Sequence, residues 1–324
     1  MLNYNLPKEK IAQVPIFPRD HCKLLVLNKN EIEHRKFYEI LKYLEKGDVI
    51  VLNDTAVMKL KIKAKKDTGG KLDILILKKK GKYYECLIKG KYREGTKFFV
   101  NGNRNGNENE NKKEGKILKK KDGKCLIELP MEMDEIEKIG EMPTPPYIKR
   151  KIDEDSWYQT VFARKRGSIA APTAGLHFTE NLLKKLEEKG VEIAFITLHV
   201  GIATFMHKIE EEYYFISKEA EEKINGAKGK VIAVGTTTVK ALESSSKNGK
   251  VIASSGWSNL FISLGYKFKS PINGLITNFH MPNSPPLLLT AAFAGVKNIM
   301  KAYEEALKMD YRFLSFGDAM LILK

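Results

Sequence analysis

Residues 167–180 read GSIAAPTAGLHFTE, a stretch that changes from small, turn-prone residues to the start of a helix. Thr179 is a suitable N-cap, so the helix is predicted to begin after it. Leucines between positions 182 and 186 give this helix an apolar face, and Gly190 is expected to end it. The loop before the helix fits two interpretations: a tightly packed turn, or a place where an anionic ligand approaches the main chain.

The composition is that of an ordinary globular protein. The chain has 324 residues, which is long enough for two domains, and 43% of them are hydrophobic, as in a typical globular protein. No run of 18 uncharged apolar residues predicts a membrane helix, and residues 1–7 do not resemble a signal peptide. Cys22, Cys86 and Cys125 form no C-x-x-C pair, which argues against a zinc site and a disulfide scaffold. We expect a cytoplasmic protein with no membrane contact.

Positive charge is concentrated in one segment. Between Lys59 and Lys124 there are 22 Lys and Arg against 8 Asp and Glu, or +14 of a total of +16. A basic segment in a nearly neutral chain favours a polyanionic partner such as RNA or DNA. The alternative is a lysine-rich surface that serves solubility. Because the charge is localised, nucleic acid is the favoured interpretation.

Residues 1–57 and 151–324 are predicted to form one discontinuous α/β domain. In the first part, a helix over 37–44 joins strands at 24–27 and 49–52. In the second part, strand, polar loop and helix recur three times, which predicts a mainly parallel sheet with flanking helices. The predicted elements there are a helix over 157–165, strands at 191–200, 231–234 and 274–279, and helices over 286–294 and 297–308.

Residues 58–150 are predicted to form a small basic β-barrel inserted into that domain. Short alternating runs separated by glycine-containing turns are typical of such barrels. The Asn- and Gly-rich run at 101–113 predicts a mobile hairpin tip, and the proline-rich run at 141–148 a return linker. The predicted strands are 60–63, 71–77, 83–88, 97–100, 116–118 and 125–129.

Polar side chains follow several predicted strands of the α/β domain. In a parallel sheet these strand ends share one edge, where ligands bind. Three of the six histidines lie at such strand or helix ends, although a lone histidine there is more often structural. No H-E-x-x-H spacing supports a metal site, and the turn at Gly235 lacks a G-x-G-x-x-G pattern. The residues at these ends are Asn53, Asp54, Thr55, His177, His199, Thr236, Thr237, Asn278 and His280.

Several blocks resemble the hallmark sequences of the S-adenosylmethionine:tRNA ribosyltransferase-isomerase family of queuosine biosynthesis. The resemblance spans essentially the whole chain and implies an α/β domain with an inserted β-barrel. The later blocks are GSIAAPTAGLHFT at 167–179, LHVG at 198–201, GTTTV at 235–239, TNFH at 277–280 and YRFLSFGDAM at 311–320. The earlier blocks are PRD at 18–20, VLNDT at 51–55, TGGK at 68–71 and PPYI at 145–148.

The resemblance implies an enzyme with two substrates, S-adenosylmethionine and a tRNA that carries 7-aminomethyl-7-deazaguanine at the wobble position. The ribosyl portion moves to the aminomethyl nitrogen and is isomerised to an epoxycyclopentanediol, which gives epoxyqueuosine and releases adenine and methionine. S-adenosylmethionine is consumed, so no separate cofactor and no metal are expected. We expect a monomer.

This reaction requires a base for a ribose C5′ proton that the sulfonium acidifies, and an acid for the departing adenine. We predict that His177 and His199 transfer protons, with Asp54 as orienter or alternative base. The predicted substrate contacts are Arg19, Asn53, Thr55, Pro172, Thr173, Gly175, Gly235, Thr236, Thr237, Asn278, His280 and Asp318. The predicted tRNA phosphate contacts are Lys61, Lys63, Lys65, Lys71 and Lys79.

The sequence departs from the family pattern in places, and two other protein classes stay open. Met206-His207 follows Phe205 in a shortened segment, and Lys240 stands where Arg is usual. An S-adenosylmethionine-dependent RNA methyltransferase would show a Gly-rich turn after its first strand, which 27–29 does not offer. A non-catalytic RNA-binding protein would leave the cluster of His, Thr and Asn without a purpose.

Overall fold

The computed structural model describes residues 2–101, 112–201 and 211–324. Most of the predicted hairpin tip at 101–113 and the segment that contains His207 lie outside the described residues. The chain divides into two compact units, Met1–Ala56 with Pro146–Lys324, and Val57–Pro145. Within the described ranges, no helix has the length and apolar character needed to cross a membrane.

The regular elements are numbered in chain order. The first ten strands are β1 Lys23–Asn28, β2 Glu31–Lys36, β3 Val49–Asn53, β4 Thr55–Val57, β5 Lys61–Lys66, β6 Lys71–Lys80, β7 Tyr83–Lys89, β8 Lys97–Asn101, β9 Lys112–Lys121 and β10 Lys124–Glu128. The others are β11 Lys165–Ser168, β12 Glu192–Leu198, β13 Glu212–Ile216, β14 Val231–Val234, β15 Ser246–Lys247, β16 Lys250–Val251, β17 Ser254–Ser258, β18 Gly274–Asn278 and β19 Ala319–Leu323. The helices are α1 Met133–Ile139, α2 Glu180–Glu188, α3 Lys218–Asn225, α4 Thr236–Ser245, α5 Pro285–Ala294 and α6 Val296–Lys308.

The larger unit is built on a nine-stranded sheet in the order β17-β13-β12-β3-β14-β18-β19-β1-β2. The neighbours β12–β3, β3–β14, β14–β18 and β19–β1 are parallel. The pairs β17–β13, β13–β12, β18–β19 and β1–β2 are antiparallel. The sheet is therefore mixed, not mainly parallel as predicted. The last strand, β19, enters between β18 and β1, and its direction depends on a long-range connection that no local pattern encodes.

The central strands are buried on both faces, which explains their continuous apolar sequences. In β3 every residue is buried, and the same holds for β14 and β18. Successive side chains point to opposite faces, so Val51 and Ala233 join one core cluster while Ile50 and Ile232 join another. Two cores thus enclose the sheet and hold its strand ends in fixed positions.

One predicted helix is found as a shorter 3-10 helix, one is wrong, and one helix start is confirmed. Residues 37–44 contain the 3-10 helix Phe37–Lys42, and 157–165 contains only a 3-10 turn before β11. The Arg164 and Lys165 amides donate to the Asp54 carbonyl at 2.8 and 3.0 Å, so their bonds leave no helix there. Thr179 caps α2 as predicted, because its hydroxyl accepts from the Leu182 amide at 3.1 Å.

The smaller unit contains a closed barrel of six strands in the order β10-β7-β6-β5-β8-β9. The six predicted barrel strands are confirmed. Alternation explains the arrangement, since Ile62 and Ala64 of β5 are buried in the barrel while Lys63 and Lys65 point outward. Phe98 of β8 is 0% exposed and belongs to the same core.

Candidate functional site

A pocket lies at the carboxyl ends of β14 and β18, where a parallel pair of strands leaves its polar residues on one edge. Its volume is about 100 Å³, below the roughly 300–1,000 Å³ of pockets for drug-sized ligands, so a larger ligand enters it only in part. The predicted substrate contacts that line it are Pro172, Thr173, Gly235, Thr236, Thr237, Asn278 and His280.

Gly235 shapes one wall of this pocket. Its φ of +91° suits glycine, and this conformation turns β14 directly into α4. The Gly235 amide donates to the Ile276 carbonyl at 2.8 Å, which ties the turn to β18. The first turn of α4, at Thr236 and Thr237, therefore faces the pocket with the partial positive charge of a helix N-terminus.

Asn278 also lines the pocket and is held in one orientation. Its amide nitrogen donates to the Leu314 carbonyl at 3.0 Å and to His177 Nε2 at 3.1 Å. Its oxygen accepts from the Thr173 hydroxyl at 3.1 Å. Because a carbonyl only accepts, the contact with Leu314 identifies the nitrogen, and this orientation makes His177 Nε2 an acceptor.

His177 lies behind Asn278 and does not line the pocket. Its Nδ1 is 3.2 Å from Cys22 Sγ, and the ring is 4% exposed. Burial lowers the pKa of His177 to about 3, with a further lowering by Arg312 and Arg19, so the ring is neutral. In this position His177 is suited to orient the side-chain amide of Asn278. The predicted proton transfer by His177 stays a prediction.

His199 belongs to a second cluster that adjoins the pocket. Its Nδ1 is 2.8 Å from the Thr55 hydroxyl, which is 2.6 Å from the Ser168 hydroxyl. The Val200 amide donates to Ser168 Oγ at 2.8 Å, and Val200 itself lines the pocket. Burial lowers the pKa of His199, and Asp54 opposes that shift, so this ring is also neutral at neutral pH.

The surroundings of His199 fix its ring. The ring stacks on Tyr213 with centroids 6.1 Å apart and planes at 22°. A Cβ at Gly167 would lie 2.6 Å from His199 Cε1, so glycine permits this close approach. Asp54 accepts from the Thr197 hydroxyl at 2.7 Å and lies 3.8 Å from Arg164 Nε.

His280 lies on the pocket wall. Its Nε2 is 3.1 Å from the Thr277 hydroxyl, and its Nδ1 is 3.4 Å from the Tyr303 hydroxyl. Burial lowers the pKa of His280, so a neutral imidazole faces the pocket. Of the three histidines singled out from the sequence, the structure brings this one into direct contact with the pocket space.

Five other predicted contacts lie outside the pocket lining. Asn53 ties β3 to β12, since it accepts from the Leu198 amide at 3.0 Å and donates to the Leu198 carbonyl at 3.0 Å. Thr55 belongs to the His199 cluster. Arg19 donates to the Gln159 carbonyl, Gly175 packs against Phe162, and Asp318 accepts from the Lys23 and Arg312 amides. Burial raises the pKa of Asp318. The predicted contacts of these five with substrate stay predictions.

Sequence reasoning missed Tyr147, Tyr158 and Ser315, which line the pocket. The Tyr147 hydroxyl is 2.7 Å from Ser315 Oγ, and burial raises the pKa of Tyr147 to about 12. Tyr147 lies in the family block PPYI and Ser315 in the family block YRFLSFGDAM, so the resemblance could have pointed to both residues. Lys240, which stands where Arg is usual in the family pattern, donates to Glu212 at 2.8 Å and is paired with that carboxylate.

The predicted phosphate contacts lie on two neighbouring barrel strands, β5 and β6. Lys63 forms an ion pair with Glu141 at 2.6 Å, and Lys79 forms one with Glu132. Lys63, Lys65 and Lys71 line a groove on the barrel. In the residues that the structure describes, no group of three or more His, Cys, Asp or Glu is placed to hold a metal ion.

Fold and site together define an α/β protein with a pocket at the strand ends and an inserted basic β-barrel. Comparison with known proteins goes further, because the chain matches the family described as "Queuosine biosynthesis protein" over residues 1–322. The chain therefore belongs to this family.

Individual relatives cover almost the whole chain. It is 46% identical to the S-adenosylmethionine:tRNA ribosyltransferase-isomerase of Clostridioides difficile (strain 630), over 98% of each chain. It is 44% identical to the protein of the same name from Thermoanaerobacter sp. (strain X514), over 99% of this chain and 98% of the relative. A crystal structure of S-adenosylmethionine tRNA ribosyltransferase from Thermotoga maritima matches with a TM-score of 0.58, 35% identity and 99% coverage of both chains.

Proposed function

We propose that this chain is an S-adenosylmethionine:tRNA ribosyltransferase-isomerase. It transfers the ribosyl portion of S-adenosylmethionine to 7-aminomethyl-7-deazaguanine at the tRNA wobble position and isomerises it to give epoxyqueuosine, with release of adenine and methionine. The observation that carries this proposal is 44–46% identity over nearly the full length to two relatives of that name. The pocket at the strand ends supports it, since several of the matching blocks contribute to its wall.

His199 is the side chain best suited to act as the base. The spacing allows a chain of donors in which Nδ1–H donates to Thr55 Oγ1 and the Thr55 hydroxyl donates to Ser168 Oγ. In that arrangement Nε2 keeps its lone pair, and the described residues offer it no hydrogen-bond donor. A neutral ring with a free lone pair accepts the C5′ proton, and Asp54 stabilises the imidazolium that forms.

The pocket itself would hold part of S-adenosylmethionine. The hydroxyls of Thr173 and Thr236 offer hydrogen bonds, and the first turn of α4 favours an anionic group such as the methionine carboxylate. His280 and the Asn278 amide complete a wall of neutral groups. S-adenosylmethionine is consumed, so the proposed reaction needs no separate cofactor or metal.

The tRNA would meet the lysines of the barrel, because a duplex stem presents a dense row of phosphates. The wobble base must leave its stack to reach a pocket, as in other enzymes that act on bases. We further propose that the enzyme acts in the cytoplasm as a monomer.

The test is incubation of the purified protein with S-adenosylmethionine and an anticodon stem-loop that carries the modified wobble base, followed by chromatography. We expect adenine, methionine and a mass gain on the RNA, and no products from a control stem-loop with guanine at that position. S-adenosylhomocysteine would instead identify a methyltransferase. Bound RNA without any product would identify an RNA-binding protein.

A further inference from the structure

The barrel carries a groove between β5, β6, β8 and β9, here called the lysine groove. Its volume is about 500 Å³, within the range of pockets that hold drug-sized ligands. Five lysines and two aspartates line it, together with one aromatic side chain, Phe99. The groove is therefore positively charged, and it is large enough for a nucleotide.

Phe99 lies on the outer face of the barrel, in contrast to its neighbour. Phe98 is 0% exposed in the barrel core, and alternation along β8 turns Phe99 outward into the groove. An apolar ring among lysines contributes little to the barrel core. The bases of single-stranded nucleic acids commonly stack on aromatic rings in positively charged grooves.

The strand register places two lysines beside this ring. Lys65 of β5 is directly opposite Phe99 of β8 on one side and Lys71 of β6 on the other. Like charges directly opposite each other destabilise a sheet. Lys71 forms no ion pair within the described part of the chain. A bound phosphate would offset the repulsion between Lys65 and Lys71.

The aspartates of the groove favour a whole nucleotide over a phosphate alone. Asp73 stands opposite Lys63 in the β5–β6 pair, and Asp67 accepts from the Thr68 amide at 2.8 Å. A carboxylate repels phosphate, but it accepts hydrogen bonds from the amino groups of bases. The groove thus combines lysines that can bind phosphate, aspartates that can accept hydrogen bonds from a base edge, and an aromatic ring on which a base can stack.

We propose that the lysine groove binds one unpaired nucleotide of the RNA substrate, with its base stacked on Phe99 and its phosphates at Lys65 and Lys71. This inference rests on the proposed function, because that function supplies the RNA. It goes beyond charge attraction, since it assigns a base-stacking subsite to the outer face of the barrel.

The test compares full-length Phe99→Leu, Phe99→Trp and Lys71→Ala proteins with wild type. Fluorescence anisotropy measures the Kd of the wobble-modified stem-loop at several salt concentrations. Phe99→Leu keeps an apolar side chain without a π face, and we expect about tenfold weaker binding, the size of one base–aromatic stack. Phe99→Trp should bind within twofold of wild type. Lys71→Ala should lower the salt slope by about one, which Phe99→Leu should not do.

Lys119→Ala is the matched control, because Lys119 is exposed on β9 outside the groove. It should leave the Kd within about twofold. Wild-type affinity in Phe99→Leu, or equal losses in Lys119→Ala and Lys71→Ala, would overturn the proposal. Adenine release by wild type, measured alongside, separates the two ideas: its absence would contradict the proposed function, while the affinity of the variants still decides the groove.

Discussion

The pocket of the α/β unit and the lysine groove of the barrel use ionisable groups in opposite ways. In the pocket region, burial lowers the pKa values of His177 and His280, so neutral rings make directional hydrogen bonds. In the groove, lysines project from outward-facing strand positions among few carboxylates. If the pocket binds the small substrate and the barrel lysines bind the polyanion, as proposed, then pH should act mainly on the pocket region and salt mainly on the groove.

The largest expected effect separates the two faces of the barrel. Phe98→Ala should lower the free energy of unfolding by about 3–5 kcal/mol, because it leaves a cavity in the core. Phe99→Ala should lower it by less than about 1 kcal/mol, since its ring faces outward. Urea unfolding of both variants measures the difference. Equal losses would mean that Phe99 is a structural residue, and the groove would lose its stacking platform.

Salt should affect RNA binding strongly and S-adenosylmethionine binding little. Five lysine–phosphate contacts predict that raising salt from about 50 to about 200 mM weakens RNA affinity by roughly a hundredfold or more. The affinity for S-adenosylmethionine should change by less than about twofold. Isothermal titration of each ligand at both salt concentrations measures this. An RNA affinity that does not depend on salt would contradict the proposed lysine–phosphate contacts.

His199→Ala should slow adenine release by at least about a hundredfold, the usual contribution of a positioned acid or base. RNA affinity should stay within about twofold of wild type, because the proposed phosphate contacts are barrel lysines and do not include His199. His21→Ala is the control, since this exposed histidine lies outside the pocket and the His199 cluster. Turnover of His199→Ala within a few-fold of wild type would rule out the proposed base.

His177 should make stability depend on pH. Its pKa is about 3 in the folded protein against 6.5 for the free side chain, so the unfolded chain binds the extra proton between these values. The full contribution is present above pH 6.5, and stability falls by up to about 1.4 kcal/mol per pH unit as pH drops toward 3. His177→Gln should show a shallower dependence between pH 6 and 4 in urea unfolding. Parallel curves would contradict a buried, neutral His177.

The barrel was predictable because its signals are local. Alternation along β5 and glycine turns between strands appear within a few residues of sequence. The direction of β19 was not predictable, since it depends on where this strand enters the sheet and not on any local sequence pattern. The helix predicted over 157–165 failed because the Arg164 and Lys165 amides bond to Asp54, more than a hundred positions away.

The pocket was predictable in part for the same reason. Strand-end residues such as Asn278 and Thr236 follow from the rule for parallel edges, and both line the pocket. No pattern shows that His177 lies behind Asn278, because that depends on how the 3-10 turn at Thr173–His177 packs. Tyr147 and Ser315 are 168 positions apart and meet only in the folded chain.

The most direct test of separable regions is one pair of measurements on Asn278→Ala protein. Adenine release at saturating RNA and the Kd of the wobble-modified stem-loop are determined on the same preparation, after its melting curve has shown that it is folded. We predict adenine release at least about tenfold slower than wild type, with RNA affinity within about twofold. Weakened RNA binding with unchanged release from the bound complex would contradict the account.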